Sequence, residues 1–238
     1  MIEAAQIWSY LTQGPLVWLA VTLTAYLIAD WCFRATGRAP WSNPVMVSIL
    51  IVGSVLLATG TPYRTYFEGA QFVHFLLGPA TVCLALPLYT NLGHVRRAAL
   101  PMIAGLLAGS VTAVASALAV AYALGVRGNV LASLAPKSAT APVAIGISER
   151  LGGEPTLTAA LVLLTGIIGA ICVTPMLNAL GLRDWRARGF ATGVAAHGVG
   201  TARALQVNET AGAFAGIGMA LNAVLTGIIA PLVLHLFQ

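Results

Sequence analysis

The sequence predicts an all-α membrane protein, a polytopic helical bundle in which some helices are broken by proline and glycine or are re-entrant. Composition is the first reason: 58% of the residues are hydrophobic and only 8% are charged, and the mean hydropathy is +0.88, whereas a soluble domain carries about 25% charged residues. Several runs reach the roughly 20 apolar residues that cross a hydrocarbon core about 30 Å thick. The second reason is that other apolar runs are interrupted by Gly, Pro and cationic residues. A bilayer tolerates such opened backbone only where protein or a water-filled cavity surrounds it. One integral membrane domain spanning residues 1–238 fits the length, with inverted repeats a further expectation for such a bundle.

Residues 14 to 33 make the first span, with Trp8, Tyr10 and Trp18 placed for an aromatic belt at one interface. In the loop that follows, Pro40, Asn43 and Pro44 mark the next helix start. The second span runs from about 44 to 59 and closes with turn chemistry from Gly60 and Pro62. The third run, QFVHFLLGPATVCLALPLY, carries His74, the Gly78-Pro79 pair and Pro87, and reads as interrupted. Residues 99 to 124 form a Gly/Ala/Ser-rich span in which Gly105 and Gly109 have the small-xxx-small spacing of close helix contacts. A further span covers 156 to 180, and the run FATGVAAHGVGTARALQVNETAG is broken around Gly198 and Gly200. Residues 213 to 236, with Asn222 and Pro231, make the last span.

The net charge of +5 comes from basic residues that lie mostly between apolar runs, which points to positive-inside loops and not to nucleic-acid binding. If residues 131–153 dip into the membrane and return, Arg34, Arg38, Arg96, Arg97, Arg183, Arg186 and Arg188 share the cytoplasmic side, leaving Arg64, Arg127 and Arg150 outside. A full crossing would erase that bias, so re-entry is favoured. Cys32, Cys83 and Cys172 are isolated and read as packing residues, and no metal or cofactor is expected. The N-terminus has Glu3 and no basic n-region, and does not read as a cleaved signal peptide.

The chain is organised around LASLAPKSATAPVAIGISERLGG, residues 131–153. Lys137 is the only lysine. Pro136 and Pro142 flank it, and each removes a backbone donor and clashes with a carbonyl four residues back, so the helix should open between them. Charge at mid-bilayer costs about 2.5 to 3.5 kcal/mol on insertion scales, which makes Lys137, His74, His197 and Arg203 candidate functional residues. Together they suggest a basic pocket for a small organic anion, with Lys137 and Arg203 as its cationic pair and Ser138, Thr140, Thr201 and Asn222 as neutral donors. His197, His74 and Glu209 are the candidates for proton or ion coupling. Arg203 has two other readings, a snorkelling residue near a helix end or a structural partner of Glu149 or Glu209. His74 fits an interfacial position as well, and His197 fits a satisfied buried histidine. Gly78 and Gly198, like Thr81 and Thr201, share one offset of 120 residues; a true repeat there would set two broken segments face to face. No HExxH, GxSxG or Walker sequence supports an enzyme.

The stretches FLLGPATVCLALPLY, PKSATAPVAIGISERLGG and HGVGTARAL followed by GAFAGIGMALN occur in order between about Asn43 and the C-terminus. In these motifs the chain resembles the LrgB/CidB family of bacterial membrane proteins. The resemblance implies a multi-pass inner (plasma) membrane protein that works beside a small holin-like LrgA/CidA-type partner, with homo-oligomers also expected. It implies two kinds of function. One is transport of small monocarboxylates of the pyruvate, lactate, glycolate or glycerate type, since plastid relatives translocate glycolate and glycerate and some bacterial members are tied to pyruvate uptake; the other is holin/antiholin-like control of murein hydrolase activity and cell lysis. The family commonly has a glutamate soon after the TAR triplet where this chain has Gln206, and Glu149-Arg150 is more charged than usual there. Both departures bear on ion coupling.

Overall fold

A computed structural model describes residues 14–83, 89 and 92–237. Every regular element among the described residues is helical. Four helices are long and apolar enough to cross a membrane: Pro15–Ala35, Ala99–Ala123, Pro155–Ala179 and Glu209–Phe237. The protein is thus an all-α, multi-pass membrane protein. Its chain divides into two compact units, Met1–Cys83 and Leu84–Gln238.

The first unit contains α1 (Pro15–Ala35), a 3-10 turn (Pro40–Ser42), α2 (Pro44–Thr59) and α3 (Tyr63–Cys83). The boundaries of α2 follow from local chemistry: the Asn43 side chain accepts from the N–H of Val45 at 2.9 Å, and Gly60 closes the helix in the left-handed region at φ 62°. Trp18 is not in an aromatic belt. It is fully buried and packs edge-on against Tyr66 of α3, with ring centroids 6.0 Å apart. This is possible because Gly69 lies directly against Pro15 and Trp18, leaving no room for a side chain. A second correction concerns Gly78 and Pro79, which lie within α3 and do not end it. A proline deletes one hydrogen bond of the ladder, and the helix continues on both sides to Cys83. Trp8, Tyr10 and Pro87, and with them the reading of the N-terminus, lie outside the described residues.

The second unit holds α4 (Leu92–Arg97), α5 (Ala99–Ala123), α6 (Asn129–Leu134), α7 (Ala141–Arg150), α8 (Pro155–Ala179), α9 (Trp185–Val207) and α10 (Glu209–Leu234), ending in a 3-10 turn at His235–Phe237. Helices α6 and α7 form a hairpin. Its two ends are tied together where α8 begins: the Glu154 N–H donates to Ser133 Oγ at 2.7 Å, and the Thr158 hydroxyl lies 2.6 Å from Ser148 Oγ and 3.2 Å from the Ser133 carbonyl. Gly153 fits between Ser148 and Ser133 only because it lacks a Cβ. The stretch therefore leaves from and returns to the same end of α8, which is the re-entrant geometry.

Helix α9 is a second hairpin. Its backbone is non-helical at Ala196 (φ −128°, ψ 17°) and His197 (φ 39°, ψ −137°), and the arms 185–195 and 198–207 fold back on each other. Arg188 and Arg203 line one small cavity, although 15 residues of straight helix would separate them by about 22 Å. The first arm lies against α10 almost backbone to backbone, with Gly189 facing the Ala211 carbonyl and Gly193 facing that of Ala215.

Helix α8 orders the two hairpins. Thr158, near its start, holds the base of the first. Val162 packs against Ala139 and Ala144 of that hairpin, Gly166 and Gly169 face the His197 and Ala196 tip of the second, and Leu177 lines the cavity at the second hairpin's base. The hairpins thus enter from opposite ends and meet midway. Each follows a 25-residue helix, α5 or α8, and these two helices end in the matching sequences ALGVR (123–127) and ALGLR (179–183). Both ends close with the same hydrogen-bond pair, Val126 to Ala121 with Gly125 to Tyr122, and Leu182 to Leu177 with Gly181 to Asn178. Both glycines have positive φ, 87° and 67°. The chain accordingly contains two helix-plus-hairpin repeats in opposite orientation. Their register is 56 residues, from Ala123 to Ala179, and not the 120-residue offset, which would match the unbroken α3 to the folded-back α9.

Arg96, Arg97, Arg183, Arg186 and Arg188 stand at one end of this unit, and Arg127 and Arg150 at the other, so the five-arginine end should face the cytoplasm. In a cysteine-free background, Arg186→Cys should resist an impermeant thiol reagent added to intact cells, while Arg150→Cys should react. Equal labelling of both from outside would overturn the re-entrant topology.

Candidate functional site

The first hairpin tip is the turn from Ala135 to Thr140, between α6 and α7. Pro136 lies in the turn, and Pro142 falls in the first turn of α7, where its missing N–H is no loss. Three helices hold the tip in place. Asn222, near the middle of α10, donates from Nδ2 to the Ser138 carbonyl at 2.9 Å, and its Oδ1 accepts from Ser110 of α5 at 2.6 Å. One amide thus satisfies a backbone carbonyl that the opened helix leaves bare. Lys137 is half-buried, and its ammonium donates to Ser138 Oγ at 3.3 Å. Thr140 is the N-cap of α7, and its side chain makes no capping bond.

The second tip brings His197 to the same place. Its Nε2 donates to the Val162 carbonyl at 2.8 Å, which fixes the ring beside the first hairpin. Gly166 makes the notch for the imidazole, since a Cβ there would overlap the ring. A φ of 39° at a non-glycine residue costs on the order of 1 to 3 kcal/mol and persists only where surrounding contacts hold it. The Lys137 ammonium lies within electrostatic range of the ring. Gly198 and Gly200 follow the break and do not make it. Gly200 lets the second arm close on Thr192 of the first.

The structure gathers Lys137, Ser138, Thr140, Asn222 and His197, and separates the others. Arg203 is not paired with Lys137. It lies six residues down the second arm, about 9 Å from the tip, in the cavity it shares with Arg188. At 6% exposure it is not a snorkelling residue. The Thr201 hydroxyl donates to the His197 carbonyl of its own helix at 2.7 Å. Glu209 opens α10 at an exposed position, 13 residues and about 20 Å of helix from Asn222. The His74 side chain lies outside the described residues. The hydroxyl cluster of Ser133, Ser148 and Thr158 is absent from the sequence reading, and so is Ser110; single serines and threonines in apolar helices carry no pattern that marks them. A groove of about 650 Å³ runs between α5 and the first arm of α9, with Arg97 and Arg186 at its charged end and Gly105, Gly109 and Ala195 deeper in. Outside the apolar segments, Asp184 caps α9. Its hydrogen bonds from Arg186 hold the carboxyl below the usual carboxylate range.

A profile of the LrgB-like family matches residues 22–236. The chain belongs to the LrgB-like family. It is 34% identical over 220 residues to a Bacillus subtilis protein named "Uncharacterized protein YxaC", covering 92% of this chain and 95% of that one. It is 33% identical to "Holin-like protein CidB" of Staphylococcus epidermidis, covering 83% and 86%, and 34% identical to the protein of the same name in Staphylococcus aureus, with the same coverage. No solved structure matches it. In this LrgB-like chain both hairpins fall within the matched residues, so the tips and the helices that hold them are part of what the family profile covers.

Two stability measurements test the geometry. Gly166→Ala should destabilise the protein by about 1 to 3 kcal/mol through overpacking against His197, whereas Gly146→Ala in α7, where a Cβ meets nothing within 4 Å, should be neutral or stabilising. A neutral Gly166→Ala would contradict the close approach. Asn222→Ala should cost about 1 to 3 kcal/mol by leaving the Ser138 carbonyl unsatisfied, read as a lower Tm in detergent.

Proposed function

We propose that the protein carries a small organic anion of the monocarboxylate type (pyruvate, lactate, glycolate or glycerate) across the membrane, binding it where the two hairpin tips meet. The observation that supports this most is the position of the only lysine, in a turn between half-helices at mid-depth of the bundle. Three positive elements converge there: the Lys137 ammonium, the N-terminus of α7 and the N-terminus of the arm 198–207. The first N–H groups of each half-helix have no intrahelical acceptor and favour an anion. A carboxylate complements this set, with Ser138 and Thr140 as neutral donors. His197, at the second tip, is the proposed coupling group, because imidazole is the side chain whose ordinary charge change lies near neutral pH.

Access to the site follows from the hairpins' opposite entry. The groove from Arg97 and Arg186 leads the anion from the arginine-rich side, and movement of one hairpin at a time exposes the tips to one side at a time. The reading involves transport and no chemical conversion. A small LrgA/CidA-type membrane protein is the proposed partner, and homo-oligomers are part of the same proposal.

The names of the Staphylococcus relatives, "Holin-like protein CidB", favour a second reading. In it the chain is a holin/antiholin-like regulator of murein hydrolase activity and lysis with no substrate of its own. Reconstitution into liposomes separates the two: saturable, stereoselective uptake supports transport, and substrate-independent leak supports the second. Lys137→Gln removes a charge-assisted hydrogen bond worth about 1.5 to 3 kcal/mol, so it should weaken apparent affinity roughly 10- to 150-fold while membrane insertion stays intact. Normal uptake by well-inserted Lys137→Gln protein would remove the proposed site.

A further inference from the structure

The groove between α5 and the first arm of α9 encloses about 650 Å³, within the size range of ligand sites. Its floor includes Met102, Phe190 and Phe214 of one apolar cluster. Small residues at every fourth position keep both walls low: Gly105, Gly109 and Ala113 on α5, and Ala187, Ala191 and Ala195 on the arm. All three alanines of the arm are exposed, so the groove is open along that side.

Charge stands at one end only, where Arg97, Arg186 and Asp184 border the groove. Asp184 is taken by Arg186, which donates from Nη2 at 2.8 Å and from Nε at 3.2 Å. Arg97 is exposed and belongs to neither salt bridge found among the described residues. Two cations and one carboxylate leave one net positive charge at the mouth. Depth then decides the kind of occupant. From Pro101 to Ala113 the groove follows α5 for about 18 Å, close to the roughly 15 Å that one leaflet contributes to a hydrocarbon core about 30 Å thick. A spanning helix about 10 Å across and 30 Å long occupies roughly 2,400 Å³, several times the groove. A lipid tail needs only one leaflet.

We propose that this groove holds one acyl chain of an anionic glycerophospholipid from the leaflet on the arginine-rich side, with its phosphodiester on Arg97 and Arg186. Guanidinium groups grip phosphate oxygens in pairs, and basic pockets between membrane helices bind anionic headgroups in this way. The single negative charge of the phosphodiester matches the net charge of the mouth. The proposal stands without the transport reading; within that reading, the lipid closes this way in and the anion displaces it.

Delipidated full-length protein in a neutral detergent is titrated with dioleoyl phosphatidylglycerol and, in parallel, with dioleoyl phosphatidylcholine, and bound lipid is counted by native mass spectrometry. Phosphatidylglycerol should bind saturably, about 5-fold or more tighter than the choline lipid. Arg97→Gln should lose that preference. Ala191→Phe, a change at an exposed position, should fill the groove and abolish saturable binding, while Lys137→Gln should bind as the wild type does. Equal binding of the two lipids by the wild-type protein overturns the proposal. Competition by glycerol phosphate as strong as by the whole lipid does so too, since it leaves the groove without a chain; neither comparison needs a variant. Full phosphatidylglycerol binding by Ala191→Phe would put the lipid elsewhere and sink the proposal. If Ala191→Phe also changes the oligomeric state, the groove belongs to a second copy of the chain. Binding lost in Lys137→Gln would place the phosphate at the tips and overturn the proposal as well. No uptake is measured, so the result is independent of the transport reading.

Discussion

Backbone groups released from a helix inside an apolar bundle must find partners within the protein, because no water is at hand to supply them. This constraint explains the central part of the structure. The turn between α6 and α7 exposes the Ser138 carbonyl, and the Asn222 amide meets it while anchoring itself on Ser110. Across from it, the fold-back of α9 is held by the His197 ring on the Val162 carbonyl. Each tip is thus pinned by one polar side chain against a helix of the bundle. The site residues take their positions from these two bonds.

The glycines serve a different need. Gly189 and Gly193 bring the first arm of α9 onto the backbone of α10, and Gly166 and Gly169 admit the second hairpin's tip against α8. In lipid, where apolar surface gains nothing by leaving the solvent, helices associate through such close contact. The second hairpin therefore rests on its neighbours through backbone proximity, while hydroxyl bonds among Ser133, Ser148 and Thr158 close the first. One repeat is latched by hydrogen bonds and the other by small residues.

Much of this was legible in the residues. Pro44, Asn43 and Gly60 mark the limits of α2, and the long spans lie within a few residues of where hydropathy puts them. Lys137 between two prolines located the first tip. For the second, Gly198 and Gly200 point one residue too late, because the turning residue is a histidine at positive φ and nothing in its type announces that. Arg203 and Lys137 read as a pair in the sequence because both are cations in apolar runs. Only the fold-back of α9, a tertiary event, directs Arg203 to Arg188 instead. Gly78-Pro79 misled in the opposite sense, since a helix can lose one hydrogen bond and continue. The matching ALGVR and ALGLR ends were in the sequence all along, but five residues acquire meaning only when both are seen closing helices ahead of hairpins.

The bond from Asn222 to Ser138 joins residues 84 positions apart, and it sets an order on biogenesis. At about 5 to 20 residues per second, the ribosome needs roughly 4 to 17 s after making Ser138 before Asn222 exists. During that interval the lysine-bearing turn lacks the amide that later anchors its carbonyl. The nascent turn must wait near the polar headgroups, or under the shelter of the insertion machinery, until the last helix arrives. Early truncation of the chain would leave the first hairpin without its fastening, so the far C-terminal helix acts as the closing step of assembly for a loop made long before it.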